Sequence, residues 1–180
     1  MKPIASWFLP LLALVACNGN QLPLASIDNV VDTVTLGALV GADLTIPSAY
    51  SIPEARTIRT DQSAGFDFAY LLIGARSVLV PLAGLGLPGG STPPGLQRRT
   101  ETFANLKSAP QNGYLITDSL DIAPGDVIAA RSRITCFLGV PQYAKLRVLD
   151  FDAARRTVRL EVLANTNCGY RNLEVGIPTS

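Results

Sequence analysis

Most of the chain alternates apolar and polar residues with a period of two, the signature of strands with one face buried. From Val30 to Val40, Val30, Val34, Leu36, Ala38 and Val40 fall on one side, with Thr33 and Thr35 on the other. A short strand is predicted over Ala55 to Thr60. In the next, Phe66, Phe68, Tyr70 and Leu72 alternate with Asp67, Ala69, Leu71 and Ile73. The second set turns apolar towards its end, which predicts a strand covered on both faces there. Arg76 to Leu82, Tyr114 to Thr117 and Asp126 to Thr135 complete the single strands, with turns at Gln111-Asn112-Gly113 and Pro124-Gly125.

The clearest feature is a hairpin. Tyr143–Phe151 folds back on Thr157–Ala164 about Asp152-Ala153-Ala154-Arg155-Arg156. This sets Val148 opposite Leu160, Leu146 opposite Val162 and Ala144 opposite Ala164 on one face. On the other face Arg147 meets Glu161, an opposite-charge pair worth a few tenths of a kcal/mol to about 1. One short helix is predicted over Thr100–Lys107, with Thr100 as N-cap, Phe103 and Leu106 facing inwards, and Pro110 beyond its end. Together these elements predict a mainly β fold: an antiparallel β sandwich or related β-rich single domain with one short helix.

Between Pro81 and Gly95 nine of fifteen residues are Pro or Gly, so a long mobile loop is expected in place of regular structure. Gly84-Leu85-Gly86-Leu87-Pro88-Gly89 matches the dinucleotide-binding spacing, but Pro88, Pro93 and Pro94 forbid the helix that would aim its N–H groups at a pyrophosphate.

The first residues have a different character. Met1-Lys2 gives a positive end, Ile4 to Val15 is an apolar run broken only by Ser6 and Pro10, and Ala16 precedes Cys17. The run is too short to span a bilayer as a helix, and it has the layout of a secretory signal. Leu14-Val15-Ala16-Cys17 resembles the bacterial lipobox, in which the cysteine is diacylated on sulfur and becomes the new N-terminus. The resemblance implies a signal peptide over 1–16, a lipid on Cys17 and attachment to a bacterial cell envelope. Asn18 is not the Asp that retains such proteins in the inner membrane, so the outer membrane is expected. Residues 17–29, small and polar, are expected to form a flexible tether, with the globular domain over 30–180.

Removing the signal narrows the chemistry. Met1 and Trp7 are the sole Met and Trp, and the chain has no His, so a protein beginning at Cys17 contains none of the three. With Cys17 carrying lipid, Cys136 and Cys168 remain; in an oxidising envelope, and just past the open end of one hairpin, they are expected to form a disulfide. No Ser-His or Cys-His couple is available. A Ser-Lys couple could use only Lys107 or Lys145, and Lys145 is expected to be solvated on the polar face of the hairpin. Zinc, copper and iron sites lack ligands, and no cofactor is expected. Asp150-Phe151-Asp152 reads as a pair of turn-forming aspartates, since no calcium-type ligand loop follows. A net charge of +1 without a basic run sets nucleic acid aside.

Phe66-Asp67-Phe68-Ala69, the stretch from Phe103 to Asp118, Gly125 to Ala130 and Tyr143 to Leu149 resemble, in order, short motifs of the HmuY-type haem-binding envelope lipoproteins. The resemblance implies a lipid-anchored β-rich architecture. Those proteins hold haem iron through paired His or Met, which no mature position here supplies. Tyr50, Tyr70, Tyr114, Tyr143 and Tyr170 are the remaining side chains able to ligate ferric haem. Tyr143, with Arg147 on the same strand face, is the candidate pair for ligand binding. The leading expectation is a non-enzymatic, lipid-anchored binding or scaffold protein whose partner is the membrane together with an unknown protein or hydrophobic ligand. The alternative is a carrier of a hydrophobic small molecule such as a tetrapyrrole. The third is a hydrolase using paired carboxylates.

Overall fold

The structure, a computed structural model, describes residues 22–179. The segments expected as signal peptide and lipobox, with Cys17, and the first part of the expected tether lie outside the described residues. Among the described residues, ten strands form two antiparallel sheets of five. The first sheet has the order β1 (Val31–Gly37), β10 (Thr157–Asn165), β9 (Tyr143–Asp152), β8 (Val127–Arg131), β6 (Gly95–Arg99). The second has the order β3 (Arg56–Ile58), β2 (Ala49–Ser51), β4 (Phe68–Ile73), β5 (Arg76–Pro81), β7 (Leu120–Asp121). Among the described residues no helix is long and apolar enough to cross a membrane.

The sheets face each other across one core. Leu36, Leu96, Ile128, Leu146 and Leu160 from the first meet Tyr50, Phe68, Tyr70, Leu79 and Leu120 from the second. Tyr50 stacks on Phe68 with ring centroids 5.7 Å apart. Each fully buried leucine contributes roughly 1.5–3 kcal/mol by leaving water, so this layer supplies most of the cohesion. The hairpin pairs as its pattern predicts: Val148 opposite Leu160, Leu146 opposite Val162, Ala144 opposite Ala164 and Arg147 opposite Glu161. A bulge between Arg159 and Leu160 leaves Leu149 as the extra residue, and near the turn Asp152 faces Thr157.

Several expectations are corrected. Thr100–Lys107 is not a helix but a single turn in which Thr102, not Thr100, caps: its carbonyl accepts from the N–H groups of Asn105 and Leu106, both at 3.0 Å, and its hydroxyl from Asn105. The helical segment is instead a 3-10 turn, Leu82–Leu85, inside the Pro/Gly stretch expected to lack regular structure. Gly86 ends it at φ 75°, a left-handed conformation that suits glycine, and a Cβ on Gly84 would stand 2.5 Å from the Thr117 carbonyl oxygen. Gly84 and Gly86, two of the three glycines of the dinucleotide-like spacing, thus serve a tight turn. Tyr114–Thr117 forms only one bridge, Leu115 to Leu96.

β4 is covered on both faces at its start, not its end: Asp67 and Ala69 are buried whereas Ile73 is exposed. The cover is a small cluster of Ala49, Ile58, Phe66, Ala69 and Leu82 on the outer face of the second sheet. The outer face of the first sheet is covered too, by Phe103, Leu106, Ala109, Tyr114 and Leu173 packed on Val127, Ala129, Tyr143 and Leu163. Irregular chain therefore acts as a partial third and fourth layer.

Cys136 and Cys168 are disulfide-bonded, with Cα atoms 5.9 Å apart and 32 residues of sequence separation. Closing a loop of that length restricts the unfolded chain by ~3.7 kcal/mol in the chain-entropy model. The double substitution Cys136→Ser, Cys168→Ser is expected to lower the unfolding free energy by about 2–5 kcal/mol, read from urea denaturation. An unchanged midpoint would show that the bond constrains nothing.

Candidate functional site

Three places gather buried polar groups, each built where irregular chain meets a strand end or face. The first is under the 102–106 turn. Lys145, near the start of β9, is only 4% exposed, which corrects the expectation of a solvated lysine. Its ammonium donates to the carbonyls of Phe103 at 2.8 Å and Leu106 at 3.2 Å, and lies 4.6 Å from the centre of the Phe103 ring. One helical turn leaves its last carbonyls without partners, and this lysine supplies them from the sheet below. Burial lowers its pKa, with Glu174 and Glu161 opposing the shift.

The second place joins the two sheets. Asp67, just before β4, is buried; one carboxylate oxygen accepts from the Ile52 N–H at 2.7 Å, the other from the Arg133 N–H at 2.8 Å and its guanidinium at 3.1 Å. Arg133 also donates to the Gly65 carbonyl at 2.9 Å. Desolvation raises the Asp67 pKa against these donors. All four bonds run between the chain entering β4, the 52–54 turn and the chain leaving β8, so the pair acts as a clamp.

The third place is the open end of the hairpin, where three buried asparagines stitch separate segments together. The Asn167 amide oxygen accepts from the N–H groups of Ser26 and Ile27 at 3.0 and 3.1 Å, and its NH₂ donates to the Ile27 carbonyl at 2.8 Å and to Asn165 at 3.0 Å. Asn165 donates to the carbonyls of Tyr170 and Asn172, and Asn29 to those of Asn172 and Glu174. Tyr170 donates its hydroxyl to the Pro23 carbonyl at 2.9 Å. Residues 22–29 of the segment expected as tether thus lie hydrogen-bonded against the domain.

No family model, curated protein or solved structure matches the chain.

The residues singled out for ligand binding are not brought together. Tyr143 and Arg147 share a face of β9 but stand about 13 Å apart along it, with Lys145 between them. Tyr143 is buried beside Tyr114, near Arg131 and Arg171. The two arginines favour its phenolate, yet burial outweighs them and raises its pKa, so its protonated phenol dominates at neutral pH. Arg147 pairs with Glu161 at 2.8 Å, lies 5.7 Å from the Phe103 ring centre, and lines a cleft of about 310 Å³ with Arg99, Glu101, Phe103 and Asp126. Among the described residues no group of three His, Cys, Asp or Glu side chains could hold a metal. Asp150 pairs with Arg159, and Asp152 accepts from the Arg155 N–H at 2.9 Å, which is turn chemistry for this aspartate.

The asparagine network had a signal in Asn165-Thr166-Asn167, two amides following the last residues of a strand, where such side chains bond neighbouring backbone. Asp67 and Arg133 had none, since they meet only through the tertiary fold.

Two measurements test these centres. Lys145→Met keeps the stem but leaves two carbonyls without donors, so urea unfolding should show a loss of about 1–3 kcal/mol; an unaltered midpoint would mean the ammonium does not hold the turn. Burial also raises the phenol pKa of Tyr50 and Tyr114 above the ordinary value of about 10. Below that value folded and unfolded chains both keep these protons. Above it only the unfolded chain releases them, so stability falls as pH rises past 10. Tyrosinate absorbance from these two rings should appear only with unfolding, and early, reversible ionisation of all five tyrosines would contradict their burial.

Proposed function

We propose that the protein is a lipid-anchored cell-envelope protein of binding or scaffold type, held in the membrane through Cys17, with the outer membrane as its expected site. The observation that carries this reading is Leu14-Val15-Ala16-Cys17 at the end of a short apolar run. Two acyl chains on one cysteine give stable attachment, at about 0.8 kcal/mol per buried CH₂. The Cys136–Cys168 disulfide supports export, because such bonds persist in oxidising compartments.

The use made of the buried charges supports a scaffold over a catalyst. Lys145 spends its donors on two backbone carbonyls, and Asp67 accepts from Ile52 and Arg133. Groups so occupied hold chain segments in place. The folded domain then serves as a rigid body presented at the membrane surface.

Cys17→Ser tests the anchor. The variant is expected to leave the membrane fraction or to keep its signal, while the parent protein, having lost Trp7, should emit as a tyrosine-only protein. Membrane attachment and processing unaffected by the substitution would overturn the reading, as would tryptophan emission from the mature parent.

A further inference from the structure

The chain between Cys17 and the first described residue is short. Only Asn18 to Gln21 intervene before Leu22, so even fully extended the link reaches at most about 18 Å. Leu22 is already against the domain: a Cβ placed on Gly169 would come within 2.7 Å of a Leu22 methyl. Pro23 is bonded to Tyr170, and Ser26 and Ile27 to Asn167. The slack expected of a tether is therefore largely taken up, and an anchor at Cys17 brings one particular end of the sandwich to the membrane.

That end carries apolar side chains in water. Leu24 is 93% exposed and Phe137 83%, and Ile27 is exposed beside them. All three line one shallow cleft with Pro23, Cys168 and Tyr170. Phe137 adjoins the bonded Cys136, on a tight turn closed by the Gly139 N–H donating to the Cys136 carbonyl at 3.0 Å. The disulfide thus fixes the base from which this aromatic ring projects. Exposure alone does not select this end, because Val40 and Leu44 are exposed at the other, beyond the far end of β1. The seven residues of β1 hold the ends about 23 Å apart, and the reach of the link decides between them.

Building on the lipid-anchor reading, we propose that the anchored domain rests on the bilayer with this end, Leu24, Ile27 and Phe137 entering the headgroup boundary. A lipid anchor with adjacent apolar side chains gains from each group that leaves water, and these three need no rearrangement of the fold to do so. Orientation follows: the hairpin turn at 152–157 and the loop with Leu44 point away from the membrane.

The absence of Trp from the mature chain supplies the reporter. Phe137→Trp and, separately, Leu44→Trp are made in the full-length chain with Trp7→Phe, purified with lipid attached, and reconstituted into phosphatidylethanolamine and phosphatidylglycerol vesicles with or without bromine on the acyl chains. Both sites are exposed, so neither change disturbs the core. Emission from Phe137→Trp is expected to shift to the blue and to lose most of its intensity to the brominated lipid, while that from Leu44→Trp keeps its intensity. Protein that co-floats with vesicles yet shows Phe137→Trp emission unquenched overturns the docking and leaves the anchor standing. A blue shift without bromine quenching means that protein covers this end, which also overturns it. Failure to co-float, with residues 1–16 still present by mass, removes the anchor reading and the docking together.

Discussion

The pairing of β9 with β10 is the constraint on which the other parts depend. Its register sets Leu146, Val148, Leu160 and Val162 towards the opposing sheet, and Lys145, Arg147 and Glu161 outwards. It also determines what arrives at the open end. Asn165, Asn167 and Cys168 leave β10 within four residues, and each ties down a different piece of chain: the C-terminal segment, residues 26–27 and the loop after β8. A slip of one residue would exchange the two faces and remove every one of these partners.

Covering layers without regular structure explain much of the remaining chemistry. A strand face that takes irregular chain also takes its backbone polar groups out of water, and each must find a partner. Lys145 answers this on the first sheet and the Asp67–Arg133 clamp between the sheets. Lys145 and Asp67 are the residues that a search for catalytic groups would select first, being titratable, buried and shifted in pKa. Their partners are backbone groups of neighbouring segments and, for Asp67, the Arg133 guanidinium, and these partners account for the burial.

How far the sequence could be read follows from the same physics. Alternation identifies which residues share a face, so the hairpin, its register and the sandwich class were legible, and the two cysteines past its open end pointed to their bond. Alternation does not say whether a polar face stays wet. Lys145 sits between Tyr143 and Arg147 in an ordinary polar pattern, and only the 102–106 turn lying over it buries it. The Thr100–Lys107 pattern had a helical period, but Lys145 and the packing of Phe103 and Leu106 are satisfied by a single turn. β2 and β7, of three and two residues, carry too few positions for a period to register. The clamp joins residues 66 apart in sequence, and no local pattern encodes such a meeting.

Residues 22–29 must be part of the folded body, since both the asparagine network and the proposed orientation at the membrane require it. Native-state hydrogen exchange, resolved at single amides, tests this directly. The N–H groups of Ser26, Ile27 and Asn29, bonded to Asn167 and Gly176, are expected to be protected by orders of magnitude over an unstructured peptide and to lose that protection in Asn167→Ala at Ser26 and Ile27. Exchange of the Ser26 and Ile27 amides at the rate of a free peptide in the intact protein would show a loose tether, and would contradict the account.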